Sequence, residues 1–256
     1  MTNMKASSRI RTTLLSLSSL PWLRWQPNRD IAVALVTMLY MIPSYYYMAN
    51  DLHPLAIYNF LFASTFVLVL IPAYYVLRIR GESLNQIGLT RRNLLPSLLI
   101  SLVFVLRLSP KLHMLLSTVQ PELVLPTLLF NCLCFWEPFF VFCWVQLRFE
   151  KAFGIIPGII AAGLCLGSYH IGTYPLEMVI TLGIIGLMYG IIFRLTMNLL
   201  ILWPLIWMAA STIGTVSGGF TFSWQTVWVY AVILIIQAIA IWKITRKNQL
   251  KKSPIN

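Results

Sequence analysis

The sequence predicts an all-α, polytopic membrane bundle of about eight transmembrane helices, and three observations predict it. Hydrophobic residues make up 59% of the chain, charged residues 10%, and the mean hydropathy is +0.79, whereas water-soluble domains carry about 25% charged residues. Apolar runs recur at lengths close to the roughly 20 residues that cross the hydrocarbon core of a bilayer. The basic residues gather at alternate ends of these runs, as the positive-inside rule requires.

Residues 1–30 carry Lys5, Arg9, Arg11, Arg24 and Arg29 around an apolar stretch, 14–20, that Ser16, Ser18 and Ser19 interrupt. That stretch is too short and too polar for a signal peptide. Ile10, Leu14, Leu17 and Leu20 share one helical face, so the segment is expected to lie on the inner membrane surface as a basic amphipathic layer. Apolar runs follow at 31–48, 55–77, 94–106, 123–147, 154–170, 176–193, 199–216 and 224–242, the third short enough to extend toward His113. The polar stretch from Gly81 to Arg92 suits a connector with a short interfacial helix, not a catalytic domain. One transmembrane domain is thus expected over 31–243, followed by a basic tail over 244–256.

Threading these runs from a cytoplasmic N terminus places 17 of the 19 Lys and Arg inside and leaves Arg107 and Lys111 outside. Both termini are therefore expected in the cytoplasm of a multi-pass cell-membrane protein. The net charge of +12 then reflects topology, so the expected partner is the lipid bilayer and not nucleic acid. Cys132, Cys134, Cys143 and Cys165 fall in apolar runs without C-x-x-C spacing and read as small apolar side chains. Gly154, Gly158, Gly163 and Gly167, with Ala161 and Ala162, form a small-residue face suited to close helix packing. Asn198 reads as an end cap or interhelical hydrogen bond, and Tyr45, Tyr46 and Tyr47 as an interfacial aromatic belt.

Two ionisable residues interrupt the apolar runs, where insertion of a charged side chain costs about 2.5–3.5 kcal/mol. Glu137 stands 11 residues from Arg148, roughly 16 Å along a helix. His170 closes the fifth run, 12 residues beyond Gly158, roughly 18 Å along the returning helix. The two are expected in one layer on adjacent antiparallel helices, where a carboxylate and an imidazole can activate a water or, in the plainer reading, satisfy each other structurally. Pro138 cannot hydrogen-bond to the carbonyl of Cys134, so the helix is expected to kink or open beside Glu137, next to a cavity.

These residues resemble the CAAX protease and bacteriocin-processing (CPBP, or Abi) family of intramembrane endopeptidases, over roughly residues 80–212. The family's first motif, a Glu-Glu pair followed by an Arg and usually a Gly, is similar to the stretch from Glu137 to Trp144, and its helix end to Arg148-Phe149-Glu150. Pro138 stands at the second Glu, Phe142 at the Arg and Cys143 at the Gly; a register with Glu137 as the second Glu places Trp136 and Val141 there instead. The second motif, an aromatic preceding a His, is similar to Leu166-Gly167-Ser168-Tyr169-His170. The third, a His with an Asn one turn on, falls where this chain has Trp207 and Ser211.

The resemblance implies that Glu137 and His170 activate a water to hydrolyse a peptide bond in a peptide or membrane-protein substrate, with Ser211 or backbone groups stabilising the oxyanion. It implies a metal only weakly, because Glu137 and His170 are too few ligands for tightly held zinc. The departures at Pro138, Phe142 and Trp207 leave open a catalytically inactive member serving as a membrane binding or immunity module. A small transporter or scaffold is a third reading.

Overall fold

A computed structural model describes residues 21–50, 53–90 and 94–252, with side chains described to Arg246. The amphipathic segment expected at 1–20 lies outside the described residues. Each of the eight apolar runs folds as helix: α1 Arg29–Asn50, α2 Pro54–Ile79, α3 Leu94–Leu116, α4 Pro121–Phe153, α5 Ile155–Ser168, α6 Leu176–Thr196, α7 Leu205–Ser217 and α8 Trp224–Lys252.

Six of these are long and apolar enough to cross a membrane. The other two, α5 and α7, are apolar but shorter, with 14 and 13 residues, or roughly 20 Å of rise each. The apolar run of α5 continues past the helix into the turn at Tyr169 and His170. That of α7 begins in a separate 3-10 turn, Leu199–Ile201. Hydropathy continues through these turns, so the sequence overstates both helices.

The C-terminal half of α4 forms the centre of the bundle, where every residue from Phe139 to Arg148 is buried. A helix apolar on all sides must be surrounded by others. Trp144, fully buried, donates its indole N–H to Thr37 Oγ1 of α1 at 3.0 Å. The small-residue face of α5 packs on α6 as expected. A Cβ added at Gly163 would lie 2.7 Å from the Leu187 side chain and 2.9 Å from the Gly183 carbonyl. Gly163→Leu therefore forces the two helices apart and is expected to lower stability by about 1–3 kcal/mol. Thermal unfolding in one detergent checks this, and an unchanged midpoint would contradict the close approach.

At one end of the bundle a buried ion cluster ties α1, α2 and α4 to the connector. The fully buried Arg148 donates two hydrogen bonds to Glu82, at 2.6 and 2.8 Å, and lies 3.5 Å from Asp30. Arg80 pairs with Asp30 at 3.3 Å, Lys151 with Glu82 at 2.7 Å, and the Tyr75 hydroxyl donates to Asp30 at 2.8 Å. The connector forms the expected short helix, a 3-10 turn over Leu84–Ile87 capped by Ser83 and Gln86. Asn198 makes both expected contacts, accepting from the Leu200 N–H and donating to Ser97 Oγ.

Burial raises the Glu82 carboxyl, but the Arg148 guanidinium and the Lys151 ammonium outweigh it and hold its pKa below the ordinary 4.5. A carboxylate whose pKa is lower folded than unfolded stabilises fully above the unfolded value and loses that contribution as pH falls through the folded one. The unfolding midpoint is therefore expected to drop as pH falls below about 4.5. Glu82→Gln should flatten that acid limb, and an identical limb in the variant would contradict the assignment.

The same end is crossed by an N-terminal strap. The N–H groups of Arg24 and Gln26 donate to the carbonyls of Phe153 and Ala152, and those of Ile155 and Ile156 to the carbonyls of Pro21 and Trp22. Gly154 turns between α4 and α5 at φ +99°, and a Cβ there would stand 2.6 Å from the Trp22 carbonyl oxygen. Only glycine fits both the conformation and the strap.

Candidate active site

The site begins at the break in α4. Its first half ends at Leu133, Cys134 leaves the helical conformation (ψ 65°), and the chain re-enters helix at Trp136–Pro138 before a π-helical stretch, Phe139–Gln146. Pro138 lacks an N–H, so it fits the first turn of a restarted helix and not the interior of a continuous one. The opened turn is resealed from α7's side, where Trp203 donates its indole N–H to the Cys132 carbonyl at 2.9 Å. The opening expected beside Glu137 is present, and it sets the carboxylate at the head of the new turn.

Glu137 is held by two donors. The Tyr169 hydroxyl donates to Oε1, and the Trp207 indole N–H donates to Oε2 at 3.1 Å. A buried carboxylate without partners would be prohibitively costly, and these two bonds compensate its desolvation. Tyr169 and Trp207 are themselves 1% and 3% exposed, so the carboxylate is fixed by rigid groups. Phe142 and Tyr189 pack on the Trp207 ring at 6.0 Å.

His170 lies just past the end of α5, in the turn that precedes α6. Its Nδ1 stands 2.7 Å from the Leu166 carbonyl oxygen. A carbonyl only accepts, so Nδ1 carries the proton and Nε2 of the neutral ring is left as an acceptor. The rings of Tyr169, Tyr45 and Tyr174 pack around the imidazole at 4.3, 4.9 and 5.3 Å. Tyr45 thus belongs to the site, whereas Tyr46 and Tyr47 are exposed.

Glu137 and His170 line one cavity of about 470 Å³, together with Trp207, Ser211, Tyr45 and Tyr174. Its walls are mostly aromatic and aliphatic, from Phe60 and Trp136 to Tyr230. The cavity reaches the ends of the helices at Met48, Ala49, Phe220 and Gln225, opposite the end sealed by the Arg148 cluster. The plainer expectation of a direct Glu137–His170 hydrogen bond is corrected: Glu137 is held by Tyr169 and Trp207, and Nδ1 of His170 by the Leu166 carbonyl.

Of the residues in the third-motif positions, Trp207 touches Glu137 and Ser211, one turn on, faces the same cavity. Tyr169 as a carboxylate donor was missed by sequence reasoning, although a tyrosine beside His170 was its visible signal. The residues do not fit a zinc centre. Trp207 has an N–H and no lone pair to offer, and among the described residues no group of three or more His, Cys, Asp and Glu can hold a metal ion. Cys134 is the cysteine that lines the cavity; Cys143 and Cys165 are buried outside its lining. Comparison with protein-family models, with curated proteins and with solved structures finds no match to this chain, so the geometry of the cavity carries the functional reading.

Proposed function

We propose that the chain is an intramembrane peptidase-like protein of the CPBP type, which binds an apolar peptide or membrane-protein segment and hydrolyses it with a water held between Glu137 and His170. The observation that carries this reading is the shared cavity: the Glu137 carboxylate and the His170 imidazole line one largely apolar space. Two donors occupy two of the lone-pair positions on Glu137 and leave others for a water. Nε2 of His170 accepts that water's second proton in a hydrogen bond and so orients it. Glu137 takes the first proton as the oxygen attacks the scissile carbonyl, and the same proton passes to the leaving amine. Ser211, which lines the same cavity, is the donor assigned to the oxyanion in this reading, a role worth about 10²–10³ in rate where it has been measured.

The cytoplasmic placement of both termini, drawn from the distribution of Lys and Arg, puts the cavity mouth on the outer side of the cell membrane. Substrate would then enter from that side or laterally from the outer leaflet. Proteoliposomes carrying the native chain, Glu137→Gln or His170→Ala, each matched for folding, are presented with a tagged library of apolar peptides. Cleavage by the native chain alone supports the proposal.

A second reading is favoured by one observation: both oxygens of Glu137 and Nδ1 of His170 are already engaged. It makes the cavity a binding module on a protease-like bundle. Its signature in the same experiment is peptide retention without cleavage, retained equally by Glu137→Gln.

A further inference from the structure

The molecule carries a second concave site, on the opposite side of the α4 break from the catalytic cavity. It is a groove of about 770 Å³ between the C-terminal part of α8 and the connector after α2. Leu84 and Leu89 form one wall, Leu234, Ala238 and Ile241 the other, and Phe135 and Trp203 the floor. It shares no lining residue with the cavity around Glu137.

The walls are apolar and the mouth is cationic. Arg246 and Thr245 stand at the end of the groove nearest the connector, with the Arg246 guanidinium 5.4 Å from the centre of the Trp242 ring. Among the described residues no acidic side chain pairs with Arg246. The helix continues beyond Arg246 to Lys252, and its sequence there adds Lys247, Lys251 and Lys252. From Leu234 to Arg246 is 12 residues, roughly 18 Å of helix rise, about the depth of one leaflet. A tryptophan and a cation at headgroup level, above an apolar slot one leaflet deep, match the shape and charge of one lipid molecule.

We infer that this groove is a specific site for one anionic phospholipid, an acyl chain lying along Leu234, Ala238 and Ile241 and the headgroup phosphate on Arg246. An ordinary boundary lipid would fill the same slot without regard to headgroup. The charge at the mouth makes the distinction testable. The floor residue Trp203 also closes the opened turn of α4 through Cys132, so the chain in the groove rests on the residue that reseals the break before Glu137.

Native mass spectrometry of the full chain, released from detergent in the presence of phosphatidylglycerol or of phosphatidylcholine with the same acyl chains, tests the site. One phosphatidylglycerol should stay bound at least about fivefold more than phosphatidylcholine, the effect of one basic residue near an anionic surface. Arg246→Glu, which removes the headgroup partner, and Ala238→Trp, which fills the slot, should each abolish that preference. Both positions are exposed, so the variants keep the fold, checked by an unchanged unfolding midpoint. Soluble glycerol phosphate, which lacks the chain, should not compete. Equal retention of the two lipids, an undiminished preference in either variant, or displacement by glycerol phosphate would overturn the inference.

Discussion

Glu137→Gln is expected to lower peptide hydrolysis by about 10²–10⁴-fold, the contribution of a positioned general base, while the protein stays folded. The substitution is clean for a reason visible in the site. The Trp207 indole can only donate, but the Tyr169 hydroxyl donates or accepts. A glutamine can turn its carbonyl oxygen to Trp207 and its amide nitrogen to Tyr169, so both hydrogen bonds of the carboxylate are replaced. Only the ability to take a proton is lost. Glu137→Leu, by contrast, strands both buried donors at about 1–3 kcal/mol each and confounds activity with stability. Trp207→Phe removes one positioning bond and should lower the rate less than Glu137→Gln does; a rate equal to or below that of Glu137→Gln would show that the indole does more than hold the carboxylate. Initial rates in proteoliposomes, at matched protein-to-lipid ratio and matched unfolding midpoint, provide the measurement.

The largest effect on stability is expected at Arg148, far from the cavity. Arg148→Met leaves the carboxylates of Glu82 and Asp30 without the guanidinium that bridges them. Removing one partner from a buried ion pair typically costs about 3–5 kcal/mol, because the remaining charge stays buried and uncompensated. Lys151 and Arg80 are each about half as exposed as a free side chain and compensate only part of this. Thermal unfolding at neutral pH should show a large drop in midpoint, and the double variant Arg148→Met/Glu82→Gln should recover some of it. A midpoint unchanged in Arg148→Met would mean that packing around Trp144 and Leu147, not the ion cluster, holds this end of the bundle.

The contrast between these two positions shows what the amino-acid order discloses. Glu137 and His170 were legible because an ionisable residue in an apolar run is rare and costly, and the Pro138 break was legible because proline cannot donate. The glycines of α5 announced a close contact that α6 fills, with Gly163 against Gly186. Arg148 was read only as the point from which Glu137 is measured along its helix and as part of a family-like helix end. Its fully buried bidentate pair joins residues 66 positions apart, and no local pattern encodes that distance. The donors to Glu137 come from 32 and 70 positions away and were out of reach for the same reason. Trp207 entered the sequence reading only by position, as the residue standing where the resembling family has histidine. There the physical outcome differs from the family pattern: an indole that donates to the carboxylate replaces a side chain able to bind metal.

The central claim is that water is added to a peptide bond in the Glu137–His170 cavity. Its most direct test is mass spectrometry of peptide products formed in ¹⁸O-labelled water by the reconstituted native chain and by Glu137→Gln. The account predicts a new C-terminal carboxyl carrying one ¹⁸O atom from the native chain and none above background from the variant. A labelled product formed equally by both would contradict the role of Glu137, and no labelled product from the folded, peptide-binding native chain would contradict hydrolysis itself.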